Sequence, residues 1–180
     1  MAVEPAAGLV DPEVDVPLTP PPPVSQRYYS ASRFWTDIKG ELAEDQFVLQ
    51  HSNGLCVVGL APSHPVRTSA VKRPLKVTFR DGILSNKPSG KKKIGASWMT
   101  EYSRLADIEC ADGSSYVVYA CVRGNLYEVN HRLLDHPELL LEKGDTDGYV
   151  AIFMPKRDEK KTVTKELLTR EQYDEKMAGR

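Results

Sequence analysis

The side chains best suited to nucleophilic or metal chemistry are few in this 180-residue chain. Its three cysteines, Cys56, Cys110 and Cys121, have no metal-ligand spacing and cannot form a complete disulfide framework. The histidines lie in no HExxH motif, and the sequence contains neither a GxSxG nucleophile elbow nor a GxxxxGK[ST] phosphate loop. We therefore expect buried thiols in a reducing compartment, no catalytic residue, no metal or cofactor site, and a protein that is not an enzyme.

One segment departs from the even charge of the chain. Between Arg67 and Lys93 nine basic residues stand against Asp81 alone, so the segment carries +8 (nine minus one) in a chain of net charge −1. Such a segment is typical of a basic surface that binds an acidic protein, nucleic-acid phosphate or a nuclear import receptor. It is equally typical of solvated loops and of strand edges on which lysines prevent pairing with another strand. Because Phe79 is its only aromatic ring, the segment does not favour nucleic acid. The candidate partner-binding residues are Lys72, Arg73, Lys76, Lys91, Lys92 and Lys93.

Short strands joined by glycine turns are predicted to position these residues. Asn53-Gly54, Asp81-Gly82 and Asp112-Gly113 each stand between apolar runs, which is the pattern of a tight hairpin turn. A series of short strands with regular turns predicts a sandwich or barrel. The predicted strands are 46–51, 55–60, 75–79, 83–84, 105–110, 114–122, 126–129 and 148–154.

The third predicted hairpin has one apolar face. Alternating positions on its two strands share one parity, so their side chains can be buried together. These residues are Ile108, Cys110, Tyr116, Val118, Ala120 and Val122.

Helix is predicted only towards the end of the chain. Thr169 and Gln172 have the spacing of a capping box, and a partial apolar stripe follows. A single helical turn is expected around 131–134, before Pro137.

The first residues of the chain have a separate composition. Seven of the 13 prolines lie in the first 23 residues, and residues 1–26 contain acidic side chains but no Lys or Arg. This favours an extended arm, either a plain disordered tail or a polyproline II ligand, and is the reverse of a basic secretory signal. No apolar run approaches the ~20 residues of a membrane helix. The predicted organisation is a disordered acidic proline-rich arm over 1–27, a β domain over 28–158 and a helical segment over 159–180.

Residues 120–130 resemble the second half of the lipoyl hairpin in glycine cleavage H-proteins. The resemblance continues at Leu134, Pro137-Glu138-Leu139 and Gly148-Tyr149. It implies a mainly β barrel-sandwich hybrid, related to lipoyl domains, with a short C-terminal helix. The lipoylated lysine of that family corresponds here to Gly113, and no Lys lies between Arg104 and Arg123.

Glycine has no amine, so the resemblance implies a domain without the lipoyl function and without a cofactor. One interpretation is therefore an H-protein-like carrier domain that has lost its lipoyl lysine and serves as a nucleic-acid or protein interaction module.

Several motifs distributed along most of the chain are similar to those of the Abitram (Simiate) family. They are Leu49-Gln50-His51-Ser52-Asn53, Ser63-His64-Pro65-Val66, Asp112-Gly113, Cys121-Val122-Arg123-Gly124 and Leu167-Leu168-Thr169 followed by Gln172-Tyr173. The resemblance implies a non-enzymatic protein that binds monomeric and filamentous actin, modulates its polymerisation, and influences filopodia, dendrite branching and transcription.

That resemblance also implies a location and partners. The expected locations are nuclear speckles and the cytoplasm, including actin-rich projections such as the lamellipodium, the growth cone and the dendrite. Actin and transcription-related nuclear proteins are the expected partners, with no membrane partner. The family motifs assign actin contact to no particular residue.

Overall fold

Two antiparallel sheets face each other in this computed structural model, which describes residues 27–41, 43–90 and 93–180. The larger sheet has the order β1-β2-β3-β9-β8-β5, and the smaller has the order β4-β6-β7. The strands are β1 Tyr29–Trp35, β2 Gln46–His51, β3 Cys56–Leu60, β4 Pro74–Phe79, β5 Trp98–Met99, β6 Arg104–Cys110, β7 Ser115–Tyr119, β8 Gly124–Val129 and β9 Ala151–Met154.

Short helical segments connect or cover these strands. They are a 3-10 turn at Ile38–Gly40 and the helices α1 Pro65–Thr68, α2 Arg132–Asp135, α3 Leu139–Glu142 and α4 Arg170–Ala178. The barrel-sandwich fold with a short C-terminal helix is confirmed.

The predicted capping box begins α4. The Thr169 hydroxyl accepts a hydrogen bond from the Gln172 amide at 3.3 Å, and the Gln172 side-chain oxygen accepts one from the Thr169 amide at 2.9 Å. The turn predicted before Pro137 is α2. The prediction of helix only towards the end was wrong, because α1 begins at Pro65, where a missing amide hydrogen costs nothing at a helix start.

Two of the three predicted hairpins are confirmed. β2 pairs with β3 across a turn in which Gly54 has φ +92°, and β6 pairs with β7 across a turn in which Gly113 has φ +81°. Asp81-Gly82 does turn the chain, but the predicted strand at 83–84 is wrong. The amide of Ile83 donates to the Arg80 carbonyl at 3.0 Å, so the turn itself brings Ile83 into the core.

Other predicted strand limits also needed correction. β7 ends at Tyr119 rather than at residue 122, because Cys121 adopts a positive φ of 61° that extended backbone does not allow. The strands β1 and β5 were not predicted at all. The turn after β1 contains Lys39-Gly40 and not an Asn-Gly or Asp-Gly pair, and β5 has only two residues.

The main core lies between the two sheets. All six residues predicted for the inner face of the third hairpin are buried, and so are the three cysteines, which are free thiols. Burial raises the pKa of Cys56 to about 12 and that of Cys121 well above its usual value, which keeps both thiols neutral. The prediction of buried thiols is therefore confirmed.

A second apolar cluster covers the outer face of the larger sheet. It is formed by Phe34, Phe47, Leu49, Val57, Ala61 and Tyr173. Tyr173 of α4 stacks on Phe34 with ring centroids 3.9 Å apart, and Phe34 exchanges two backbone hydrogen bonds with Leu168. α4 thus docks beside the edge strand β1.

Candidate interaction surface at the start of β4

The loop that enters β4 lies beside the turn of the β6–β7 hairpin. The Arg73 carbonyl accepts a hydrogen bond from the Ala111 amide at 2.9 Å, and Pro74 pairs with Cys110. Because β4 is an edge of the smaller sheet, side chains of this loop and of the strand start are presented at the surface. Candidate residues therefore lie next to the turn that holds Gly113.

Lys72 is oriented by an aromatic hydroxyl. Its ammonium donates to the Tyr116 hydroxyl at 2.5 Å, and this hydrogen bond raises the pKa of Lys72. The ring of His64 lies edge-on to that of Tyr116, with centroids 5.1 Å apart. Burial lowers the pKa of His64 to about 4, so His64 is neutral at pH 7 and does not oppose the Lys72 charge.

Exposed apolar side chains alternate with cations on this surface. Arg73 and Lys76 are exposed, and Val71 and Leu75 are 68% and 64% exposed. Leu75 has the parity of buried Val77, but an irregular register between Pro74 and Lys76 turns it outward. We call Val71, Lys72, Arg73, Leu75 and Lys76 the β4 surface.

Acidic residues from other parts of the chain reduce the charge of the basic segment. Arg67 forms an ion pair with Asp145 at 2.8 Å, and Arg80 forms one with Asp107 at 3.1 Å. Lys76 stands directly opposite Glu109 in the sheet. The value of +8 from the linear sequence therefore overstates the charge that a partner would meet.

The six candidate cations do not form one cluster in the described part of the chain. Lys72, Arg73 and Lys76 come together at the start of β4, whereas Lys93 lies in a separate loop with φ +50°. A side-chain hydrogen bond from Asn86 to the Leu126 carbonyl, 2.8 Å long, anchors that loop to β8. Lys91 and Lys92 lie outside the described residues, as do residues 1–26 of the predicted arm.

The turn of the β6–β7 hairpin is stabilised by hydrogen bonds between its own residues. One carboxylate oxygen of Asp112 accepts hydrogen bonds from the amide and the hydroxyl of Ser114, at 2.9 and 2.5 Å. Gly113 is exposed, and a Cβ placed on it would meet no atom within 4 Å. The turn thus has open space at the position that resembles the lipoyl attachment site, but no amine.

A cluster of metal ligands and a membrane-spanning helix are both absent from the described part of the chain. No three His, Cys, Asp or Glu side chains within it are placed to hold a metal ion. Nor does any helix there have the length and apolar character needed to cross a membrane.

Sequence reasoning missed two classes of residue at this surface. The exposed apolar pair Val71 and Leu75 follows from a register irregularity, which leaves no clear mark in the sequence. Tyr116 was predicted to be a core residue and is buried, yet its hydroxyl meets Lys72. The apolar residues immediately beside Lys72 and Lys76 were the only available signal.

Comparison with known proteins agrees with this architecture. The family model described as glycine cleavage H-protein matches residues 91–179. A crystal structure of a glycine cleavage system H protein from Mycobacterium marinum has a TM-score of 0.55 at 16% identity, and the match covers 81% of this chain and 96% of that one. At that identity the likeness concerns the fold.

Similar sequences extend over most of the chain. Protein Abitram of Danio rerio is 44% identical over 162 residues, which are 88% of this chain and 91% of the relative. Protein Abitram of Homo sapiens is 43% identical over 173 residues, 94% of each chain. With such identity along almost the whole length, on an H-protein-like fold, this chain belongs to the Abitram family.

Proposed function

We propose that this protein is a non-enzymatic actin-binding protein that modulates actin polymerisation, filopodium formation and dendrite branching, and also transcription. It binds actin as monomer and as filament. It works in the nucleus, including speckles, and in the cytoplasm of actin-rich projections such as the lamellipodium, growth cone and dendrite. Its nuclear partners are transcription-related proteins.

The β4 surface is the observation that carries this proposal. Its three cations are Lys72, Arg73 and Lys76, and its two exposed apolar side chains are Val71 and Leu75. Actin is acidic, so the cations steer the encounter and raise the association rate. The apolar side chains contribute contact area that cations alone do not provide.

The hairpin turn supports a binding role over a carrier role. A carrier needs an attachment lysine at the tip of the arm, and here that position is Gly113 within a run of residues that lacks lysine. What remains is a rigid β domain whose edge strand and loops are available to a protein partner.

Co-sedimentation with filamentous actin, beside a monomer-binding assay, tests the proposal. We expect binding in both assays, and we expect Arg73→Ser combined with Lys76→Ser to slow association and flatten its salt dependence. Replacement of Lys161 and Lys165, two exposed lysines elsewhere, by Ser is the control matched for charge loss. Absence of actin binding by the unaltered protein would refute the function. Equal effects of both pairs would refute the assignment to the β4 surface.

The three consecutive lysines Lys91, Lys92 and Lys93 form a separate arm of the test. Replacing all three by Ser removes three positive charges. If these lysines steer actin, the triple variant associates more slowly. If they serve nuclear import, actin binding is normal and the nuclear signal is lost.

An H-protein-like interaction module for nucleic acid is the second candidate function, and the cations of the β4 surface are the observation that favours it. Binding to phosphate gives a linear fall of log affinity with log salt, with a slope of about −0.9 per neutralised phosphate on duplex DNA. A salt titration with duplex DNA and with actin in parallel separates the two functions. A steep slope with DNA and no actin binding would favour the second.

A further inference from the structure

A small cleft lies beside residues 121–123, which follow the end of β7. The β4 surface, in contrast, lies near the start of that strand, where Lys72 meets Tyr116. The cleft is bordered by the end of β1, the turn before β6, the segment after β7 and the turns that precede α4. The Cys121 amide donates to the Glu101 carbonyl at 2.9 Å, which fixes the turn to the segment after β7. The Phe34–Leu168 backbone pair fixes the other two borders to each other.

Two aromatic rings form a corner of this cleft. Trp35 and Tyr102 have ring centroids 5.1 Å apart and planes at 72°. In such an edge-to-face pair, one face of each ring borders the space between the two ring planes. Ring faces carry the negative part of the aromatic quadrupole, so a cation in this space is attracted by both rings.

The remaining lining combines carboxylates with an apolar wall. Glu101 and Glu166 line the cleft, and neither side chain has a hydrogen bond or ion pair with another described residue. Val163 and Leu167 pack against the main core and supply apolar surface. The lining cation, Arg123, lies 3.8 Å from a Glu159 carboxylate, which partly balances its charge.

The volume of the cleft limits what it can hold. At about 180 Å³ it is smaller than the roughly 300 Å³ at which pockets for drug-sized ligands begin. A cleft of this size has room for a substituted ammonium group with its stem directed outward. Tyr102 is 55% exposed, so the corner is open to a side chain of another protein.

We propose that this cleft binds the methylated ammonium group of a lysine side chain on a partner protein. An unmodified lysine carries three donors and a tightly held hydration shell. The carboxylates of Glu101 and Glu166 can accept from it, but the aromatic and apolar walls cannot. Methylation keeps the positive charge and removes hydrogen-bond donors. The methylated group is therefore attracted by the two ring faces and the two carboxylates, and it leaves fewer donors unpaired against the rings. The site is independent of the β4 surface.

Tryptophan fluorescence provides a direct test with the full chain. Trp35 and Trp98 are the two tryptophans, so a Trp98→Phe background makes Trp35 the sole reporter. The probe is N-acetyl-trimethyllysine methylamide, and its comparison is the neutral analogue in which carbon replaces the quaternary nitrogen. We expect a saturable change with the cation at millimolar concentration and about three- to tenfold weaker binding of the neutral analogue. Equal affinities, or no saturable change, would overturn the proposal.

Matched variants separate the ring from general packing. Tyr102→Phe keeps the ring and should retain binding, whereas Tyr102→Leu should weaken it severalfold. Glu166→Gln should weaken binding, and Glu175→Gln, an exposed carboxylate on α4, should not. Circular dichroism and the urea midpoint confirm that each variant is folded. Loss of binding in both Tyr102 variants, or none in either, would exclude the aromatic corner.

The same titration distinguishes two sources of the ligand group. If the cleft serves a lysine side chain, trimethyllysine methylamide binds more tightly than choline, because its longer stem contacts the apolar wall. Tighter binding of choline would overturn the assignment to a partner protein and indicate a small-molecule site.

Discussion

The β6–β7 hairpin and the docking site of α4 are both buried, but different contacts hold them. The hairpin packs an apolar face in which Ile108 and Val118 are fully buried, and its two strands are joined by a short turn. The docking site adds a polar network around Asp45 to an aromatic stack, and its contacts with α4 and Arg180 join residues 110 to 143 positions apart. The first is encoded by local alternation, and the second requires complementarity between distant segments.

The polar network at the docking site is satisfied on every side of Asp45. Its carboxylate accepts from the Ser63 hydroxyl at 2.6 Å, from Arg180 at 2.7 Å and from the Asp37 amide at 2.9 Å. The Tyr173 hydroxyl donates to that of Ser63 at 2.7 Å. A fully buried carboxylate is tolerated only with such partners, so loss of one partner affects the whole network.

Val118→Asp should cause the largest loss, because it places an unpaired carboxylate in the apolar core. We expect the free energy of unfolding to fall by about 3–5 kcal/mol, measured by urea denaturation. Val117→Asp, on the outer face of the same strand, should cost less than half as much, although its cross-strand neighbour is Asp107. Equal losses would show that the hairpin is buried on both faces and would remove its contrast with the docking site.

Acidification should weaken the hairpin side of the core first, through His64. Its pKa is about 4 in the fold and about 6.5 in the unfolded chain, so the unfolded chain binds more protons between these values. The free energy of unfolding should therefore fall by about 3 kcal/mol as pH drops through this window. His64→Asn, which keeps a helix-capping side chain but does not titrate, should lose this pH dependence. An unchanged slope would contradict the assignment.

The docking site should respond at lower pH. Partial burial raises the pKa of Asp37, but hydrogen bonds from Lys176, the Ala43 amide and Arg180 outweigh it, and the pKa lies below its usual value. Its contribution is thus present above pH ~4 and is lost as pH falls through the lowered pKa. Hydrogen exchange along an acid series should show α4 opening only below the window of His64.

Tyr173→Phe should have a smaller and more local effect. It removes the hydroxyl that donates to Ser63 and accepts from the Ser63 amide at 3.0 Å, while it keeps the stack on Phe34. We expect a loss of about 1–2 kcal/mol, with faster hydrogen exchange in β1 and α4 and unchanged exchange in β6 and β7. The control is Tyr102→Phe at an exposed tyrosine. A uniform increase across the molecule would show that the two regions open together.

The last prediction concerns lipoylation, for which we expect no change in the mass of the protein. Protein produced together with a lipoate ligase should show the unmodified intact mass, because Gly113 occupies the tip of the hairpin and no lysine lies between Arg104 and Arg123. An H-protein produced in the same cells is the positive control. A lipoyl adduct on any lysine would refute the non-carrier interpretation of the hairpin.

The same contrast explains what could be predicted from the sequence. Asn53-Gly54 and Asp112-Gly113 fix their turns locally, and Thr169 with Gln172 fixes the start of α4, so these elements were predicted correctly. β1 depends on partners in β2 and at Leu168, and its own residues carry no clear alternation. The β4 surface was predicted only in part, because its apolar members and opposing acids come from register and cross-strand pairing.

The backbone pair between Phe34 and Leu168 has a consequence for synthesis on the ribosome. Phe34, Phe47 and Leu49 are made early, yet the residues that cover them, Leu168 and Tyr173, emerge only after more than a hundred further residues. At 5–20 residues per second, the 134 residues from Phe34 to Leu168 leave an apolar strand edge uncovered for roughly 7–27 seconds. Contacts of such long sequence separation also form slowly. The nascent chain therefore passes through an interval in which a chaperone, or a second nascent chain, can occupy the edge of β1.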